Sequence, residues 1–519
     1  MAIKIILLAV FFIITTWIGL FFRKRNTSVN SFVLGGRSIG PWLTAFAYGT
    51  SYFSAVVFVG YAGQFGWRFG ISAVWIGLGN AFIGCLLAWV VMARRTRLIT
   101  RHLNSATMPD FFGARYDSKN LKIGASLITF IFLVPYTASL YNGLSRLFSM
   151  AFNIDFTICI IAMAILTATY VIAGGYTATA VNDFIQGIIM IFGIVAVIVS
   201  VLKVNGGFAG SMEALSFVND PAVSNSPGIF TSFFGPKPLD LLGVILLTSI
   251  GTWGLPQMVQ KFYSIRSDKN INTGTVVSTI FAVIIAGGCY FLGGFGRLFS
   301  ENIDIAANGY DSIIPTMLSS FPDALIGIVI VLVFAASIST LSALVMASAS
   351  TFTLDFLKGN FIKRMSDKTQ LITIRCLVAV FILISGAIAI MQYKGSVTFI
   401  AQLMGISWGA LAGAFLAPFL YGLYWKHTTK LAVWTNFIFA TCFMIANIFF
   451  RSSFPELLQS PINAGAFTMV FGLIVVPIIS VLTPKPDAEL VKHCFSCYER
   501  EVIAKRVVVL GNDDNCTDE

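Results

Sequence analysis

The sequence predicts an all-α protein that crosses a membrane many times, and three observations predict it. The 519 residues are 57% hydrophobic and only 11% charged, with a mean hydropathy of +0.84. A soluble domain carries about 25% charged residues, so this chain has too little polar surface to cover itself in water. Apolar stretches of about 20 residues recur along its whole length, each long enough for a hydrocarbon layer of roughly 30 Å. The basic residues behind the net charge of +11 gather between alternate stretches, as in cytoplasmic loops. Soluble enzymes and nucleic-acid-binding modules are excluded on the same grounds.

The expected spans number about thirteen: 3–22, 40–66, 71–93, 121–152, 156–173, 180–203, 239–262, 275–298, 323–353, 370–392, 396–425, 430–450 and 463–483. The first is followed, not preceded, by Arg23-Lys24-Arg25. It therefore reads as a retained helix and not a cleaved signal. Of 34 basic residues, only Lys4, Arg68, Arg146, Lys203, Lys237, Arg297, Lys394 and Arg451 fall outside the loops after the odd-numbered spans, the span ends that border those loops (Lys122, Lys261, Arg375 and Lys430) and the tail. That asymmetry places the N-terminus outside and the C-terminus inside. The sequons at Asn26 and Asn515 are then cytoplasmic, which fits a bacterial inner-membrane protein. Loop 204–238 and tail 484–519 are too short for an appended soluble domain. The eight cysteines lie mostly in apolar runs, where they act as small hydrophobes, and they form no disulfide framework. His493, Cys494 and Cys497 resemble half of a zinc site but lack a second pair; the tail reads as solvated.

Ionisable groups inside apolar runs are costly and usually functional. Asp183 is the carboxylate that stands out, in Gly174-Gly175-Tyr176 through Asn182-Asp183 and Gln186. The glycines predict a tight turn, with Asp183 in the first turn of the next helix. It is read either as an acid complementing the helix dipole or as a cation or coupling site. The second polar cluster is Ser337-Ile338-Ser339-Thr340-Leu341-Ser342. Hydroxyls and freed carbonyls suit a dehydrated alkali cation; buried Ser and Thr also bond their own i−4 carbonyls or join helices. Third come helix-breaking points at Gly49-Thr50-Ser51 and at Gly251-Thr252-Trp253-Gly254-Leu255-Pro256, five spans apart. Interrupted helices at matched positions of two halves point to an inverted-repeat transporter, with the freed backbone lining a cavity.

These motifs resemble the sodium:solute symporter family, whose members include bacterial sodium/proline and sodium/pantothenate symporters and animal sodium/glucose cotransporters. The likeness covers about residues 5–485. It is carried by Gly35-Gly36-Arg37-Ser38-Ile39-Gly40-Pro41, by Gly174 through Gln186, by Gly254-Leu255-Pro256-Gln257 with Phe262, by Ala335 through Ser342, and by Trp408-Gly409-Ala410 through Trp425-Lys426. The resemblance implies a LeuT-type fold. Its parts would be an extra N-terminal helix and loop (1–39), a first five-helix repeat (40–203), an external loop (204–238), a second repeat (239–425), two C-terminal helices (426–483) and a cytoplasmic tail (484–519). It implies a sodium site of the carbonyls of Thr50, Phe53 and Ala336 with the hydroxyls of Ser339 and Thr340. Some members hold a second sodium; its counterparts here are Asp183, Ser339, Ser342 and Ala343, the last lacking a hydroxyl. Asp183 and Ser342 are thus carried as a second sodium site or as coupling groups.

The resemblance further implies sodium-coupled import of a small organic solute by alternating access, in a multi-pass cell-membrane protein without an obligatory protein partner. Tyr136-Thr137-Ala138-Ser139 is similar to proline symporters, while Gly60-Tyr61-Ala62-Gly63-Gln64 with Gly66-Trp67 is similar to the pantothenate branch. Candidate solute-binding residues are Ser54, Tyr136, Thr252, Trp253 and Pro256. Arg146 reads as snorkelling, and no buried base is expected to grip a carboxylate. Rival readings are a proton-coupled permease of the same fold, with Asp183 as its titratable group, and a sugar- or sialic-acid-type sodium symporter.

Overall fold

The computed structural model describes residues 2–22, 28–221, 223–303, 305, 309–358, 360–362, 364–395 and 400–510. Arg23-Lys24-Arg25, the sequon asparagines Asn26 and Asn515, and Cys516 lie outside them. The described chain is helical, with isolated bridges in place of strands. Among these residues nine helices are long and apolar enough to cross a membrane, or ten if Pro238–Gly254 and Pro256–Tyr263, bent by 45°, form one span. Ile3–Gly19 and Phe156–Ile165 are shorter apolar helices. One local event separates this picture from the expected runs. Pro41–Tyr52 is only half a span, and Val56–His102 carries the rest of that run and all of the next, turning at Gly70 (φ 63°, ψ −142°) between them.

Local signals start and stop these helices. Pro41 and Pro238 occupy the first turn, where a missing N–H is harmless. Thr107, Ser118, Asp155 and Thr429 cap helix N-termini with their side chains. The Gly174-Gly175 turn is present: Gly175 takes φ 59°, ψ −174°, a conformation only glycine adopts without strain. The next helix starts at once, so Asp183 stands about two turns in. The first-turn, dipole-complementing reading of Asp183 is therefore withdrawn.

Two helices form the axis of the bundle. In the most apolar stretches of Asp323–Leu357 and Ile400–Tyr424, 89% of residues are buried, against 39% for Gly174–Val204. The first packs against Lys119–Phe152, Phe156–Val204 and the N-terminal helix; the second against Lys119–Phe152, Lys430–Phe449 and Pro461–Leu482. Lys4 ties the N-terminal helix down through Asp323 (2.8 Å) and the Ala151 carbonyl. Gly66 lets its helix approach the backbone of Gly293, where a Cβ would overlap the carbonyl.

One end of the bundle is basic and closely fastened. Arg266 N donates to Ile39 O and Ile39 N to Ser264 O, both at 3.3 Å, so the start of the first interrupted helix meets the end of the second. Arg101 donates to the carbonyls of Arg37 and Ile265, both at 2.8 Å, and Arg97 pairs with Asp268. Among the described residues the tail is docked along one face and not wholly solvated as expected. Helix Ala488–Leu510 lies on Arg94–His102, with Cys494 and Phe495 buried. Phe495 stacks on the guanidinium of Arg115, itself buried and donating to the Gly422 and Trp425 carbonyls. His493, Cys494 and Cys497 join no metal-ligating group of three among the described residues.

At the other end, Arg146 does not simply snorkel. It is held 3.9 Å from the buried Asp311, whose carboxylate also accepts from Ile400 N. Burial pushes the Asp311 carboxyl above its ordinary pKa, while Arg146 and the Ile400 N–H oppose the rise.

Candidate functional site

The first interrupted helix stops at Phe53, which is extended at φ −110°, ψ 129°. The break begins two residues beyond Gly49-Thr50-Ser51. Helical turns would have sent the Ser54 and Ala55 N–H groups to the Thr50 and Ser51 carbonyls. Instead Ala55 N donates to Ser337 Oγ at 3.2 Å, so a hydroxyl from the facing helix caps the second half-helix. Thr340 Oγ1 lies 3.3 Å from Thr50 O, 3.5 Å from Ser51 O and 3.1 Å from Ala336 O. Ser339 Oγ is 2.8 Å from Thr50 Oγ1. All these residues are buried.

Such a cluster of neutral hard oxygens can hold a small alkali ion. A hard cation with oxygens at 2.3–2.6 Å separates neighbours at right angles by about 3.3–3.7 Å, close to the spacing around Thr340. The structure thus brings Thr50, Ala336, Ser339 and Thr340 together and adds the Ser51 carbonyl to the expected set. Phe53 stands at the break itself.

Asp183 faces the same helix from another side. It is fully buried beside Ser339, and Lys261 Nζ lies 3.6 Å from Oδ2. Lys261 is also buried and sits 5.1 Å above the Tyr176 ring. Lys261 is thus a buried base that the sequence does not announce, since it closes an apolar run and looks like flanking charge, and it is engaged by Asp183. Asp311 and Asp355 are further buried carboxylates. Asp355 is joined to Thr107 and to Lys122, which also pairs with Asp110 at 2.6 Å. Ser342 donates to its own i−4 carbonyl, Ile338 O, at 2.7 Å. It lines a small cavity with Ala343, Gln257, Gln260 and Lys261.

The second interrupted helix ends at Ile250, passes through a tight turn at Gly251–Gly254 and an extended Leu255, and resumes at Pro256, which is buried. The Thr252 hydroxyl is shared between the Ser249 carbonyl of its own turn (2.9 Å) and the Gly84 carbonyl (3.2 Å), and Trp253 Nε1 donates to the Ile83 carbonyl at 3.1 Å. Both side chains thus face wide helical turns at Asn80–Leu87. Ser54 and Tyr136 are brought together elsewhere, beside Trp408. The Trp408 ring stands edge-on to Tyr136 at 5.9 Å and stacks with Tyr52 at 6.1 Å. Gly251 turns its bare face to the same indole. Tyr52 donates its hydroxyl to the Thr248 carbonyl, joining the two interrupted helices directly.

The model of the sodium:solute symporter family matches residues 32–438. A sodium/proline symporter of Staphylococcus aureus is 29% identical over 93% of this chain and 93% of its own length. The osmoregulated proline transporter OpuE of Bacillus subtilis is 28% identical over 83% of this chain and 86% of its own. A solved Na+-coupled sialic acid symporter, in a substrate-bound outward-open state, superposes with a TM-score of 0.75 at 17% identity, covering 93% of this chain and 98% of that one. At that identity the likeness is one of fold.

Proposed function

The chain belongs to the sodium:solute symporter family, and on that premise we propose that it imports a small organic carboxylate, such as proline or pantothenate, by alternating access driven by one sodium ion. It is a sodium-coupled solute symporter and a multi-pass cell-membrane protein, not an enzyme. The observation that carries the finer reading is the convergence of the Thr50, Ser51 and Ala336 carbonyls on the Thr340 hydroxyl, with Ser339 alongside. Sodium entering from outside would bridge the first interrupted helix to Asp323–Leu357 and fix the break beside Ser54. The solute would then bind between the two breaks, and closure of the Arg146–Asp311 end would precede opening of the basic end.

In this reading the N-terminus is outside, the C-terminus inside, and residues 40–203 and 239–425 are inverted repeats. The names of the relatives support proline as solute. Asp183 is matched by Lys261, which favours a fixed internal pair over a second transported sodium. One charge crossing 100 mV contributes about 2.3 kcal/mol, and a tenfold sodium gradient about 1.4 kcal/mol. Together they sustain roughly a 500-fold gradient of a neutral solute, enough for a scavenging importer.

The test is uptake of labelled L-proline and pantothenate into proteoliposomes under an inward gradient of sodium, lithium or choline. Concentrative uptake with sodium and not with choline is expected. Uptake that follows an imposed proton gradient and ignores sodium would overturn the coupling.

A further inference from the structure

We propose that Trp408 sets solute specificity, its indole N–H joining the hydroxyls of Tyr136 and Ser54 in a neutral three-donor cradle for a carboxylate oxygen. The inference rests on the reading that solute binds between the two helix breaks. Trp408 lies at the crossing of all the elements that reading requires. Its ring touches Tyr52 of the first interrupted helix, Tyr136 of Lys119–Phe152 and the Gly251 turn of the second interrupted helix.

The polar bookkeeping points to a ligand. Trp408 Nε1 and Tyr136 Oη are buried, and apart from one another and Ser54 neither has a protein acceptor placed for it. The Ser54 Oγ beside them accepts from Val56 N at 3.3 Å, which leaves its proton to give. An indole N–H can only donate. However the three groups are arranged among themselves, a chain of donors ends without an acceptor. A buried donor left in that state costs about 1–3 kcal/mol, which a ligand carrying acceptor oxygens would recover. Ser54 also opens the second half of the first interrupted helix, whose N-terminal end favours negative charge.

The cradle has to work with neutral donors. Lys261 is held by Asp183 and Arg146 by Asp311. Arg146 also stands ten residues beyond Tyr136 on the same helix, roughly 15 Å along its axis. The chemical class that fits is a small zwitterion or hydroxy acid whose carboxylate is bound by uncharged donors among aromatic rings.

The experiment compares wild type with Trp408→Phe, which keeps a ring and removes the N–H, and with Tyr136→Phe. Purified protein is screened by thermal shift with sodium alone, then with sodium plus L-proline, glycine betaine or pantothenate, and plus L-prolinamide. Kinetic constants are measured in proteoliposomes for whichever carboxylate is bound. Each variant should raise the KM for that carboxylate by about tenfold or more, the loss expected for a hydrogen bond to a charged acceptor. The thermal response to sodium alone should stay unchanged, and wild type should discriminate against the amide. An unchanged carboxylate KM in Trp408→Phe, or prolinamide bound as well as proline, overturns the cradle. A wild type that responds to sodium but to none of the carboxylates overturns the ligand class and leaves the sodium site standing. Loss of any sodium response in wild type would instead overturn the reading on which the cradle rests.

Discussion

The two interrupted helices differ in what their breaks expose. At Phe53-Ser54 the facing helix sends in hydroxyls: Ser337 caps the resumed half-helix, and Ser339 and Thr340 approach the freed carbonyls. At Gly251–Leu255 the facing element sends in a ring, Trp408, and the break's own polar side chains turn away to the Gly84 and Ile83 carbonyls. A break lined with neutral oxygens suits a bare cation; a break lined with rings and donor groups suits an organic anion. Tyr52 links the two through the Thr248 carbonyl, so filling the first site would bear on the geometry of the second.

That contrast can be broken most severely at the first helix. Ser339→Ala with Thr340→Ala removes two of its oxygens and should abolish sodium-stimulated uptake while the protein still reaches the membrane. Retained sodium dependence in that double variant would refute the site. Next in size is the internal pair. Lys261→Met alone strands a buried charge and should lower unfolding stability by about 3–5 kcal/mol. Asp183→Asn added to it should restore much of the loss, as read by thermal midpoints. In Asp183→Asn by itself the Hill coefficient for sodium should stay at about one; a wild-type value near two that falls to one would mean that a second ion is carried there.

Smaller effects sharpen the second half of the comparison. Thr252→Val and Trp253→Phe each remove one hydrogen bond to Asn80–Leu87, worth about 1 kcal/mol of stability, and should leave the solute KM within about threefold. A large KM effect would bring those side chains back into the solute site. The smallest effect concerns Asp311. Its pKa is raised in the folded protein, so the native state binds that proton more tightly than the unfolded chain. The stability this group contributes is full below the ordinary carboxylate value of about 3.9 and is lost as pH rises through the raised one. Relative to Asp311→Asn, wild type should therefore gain melting temperature on acidification from neutral pH.

Much of this was legible in the chain. Low charge and apolar runs gave the fold class, and the glycine and proline interruptions marked both breaks to within a few residues. The hydroxyls at 339 and 340 were visible because polar oxygens in a buried run require a reason. What stayed hidden depended on partners distant in sequence. Lys261 closes an apolar run and resembles flanking charge until Gly174–Val204 brings Asp183 to it. Arg146 read as a snorkelling side chain until a loop more than 160 residues later supplied Asp311. The tail looked solvated because Phe495 and Cys494 are too few to announce a buried face; only the guanidinium of Arg115 beneath them reveals one. Thr252 and Trp253 are solute-ligand candidates by position; their hydrogen bonds to the Gly84 and Ile83 carbonyls depend on a helix about 170 residues earlier and could not be read from the sequence.

The central claim is that oxygens of an interrupted helix and a hydroxyl-bearing helix hold sodium together. It is tested most directly by titrating purified protein with sodium, at constant ionic strength in choline, and following the thermal midpoint. A ligand that binds only the native state at a hundred times its Kd stabilises by about 2.7 kcal/mol. Wild type should therefore show a saturable, sodium-specific rise that Ser339→Ala/Thr340→Ala lacks. The same rise in that variant, or equal responses to sodium and choline in wild type, would contradict the account.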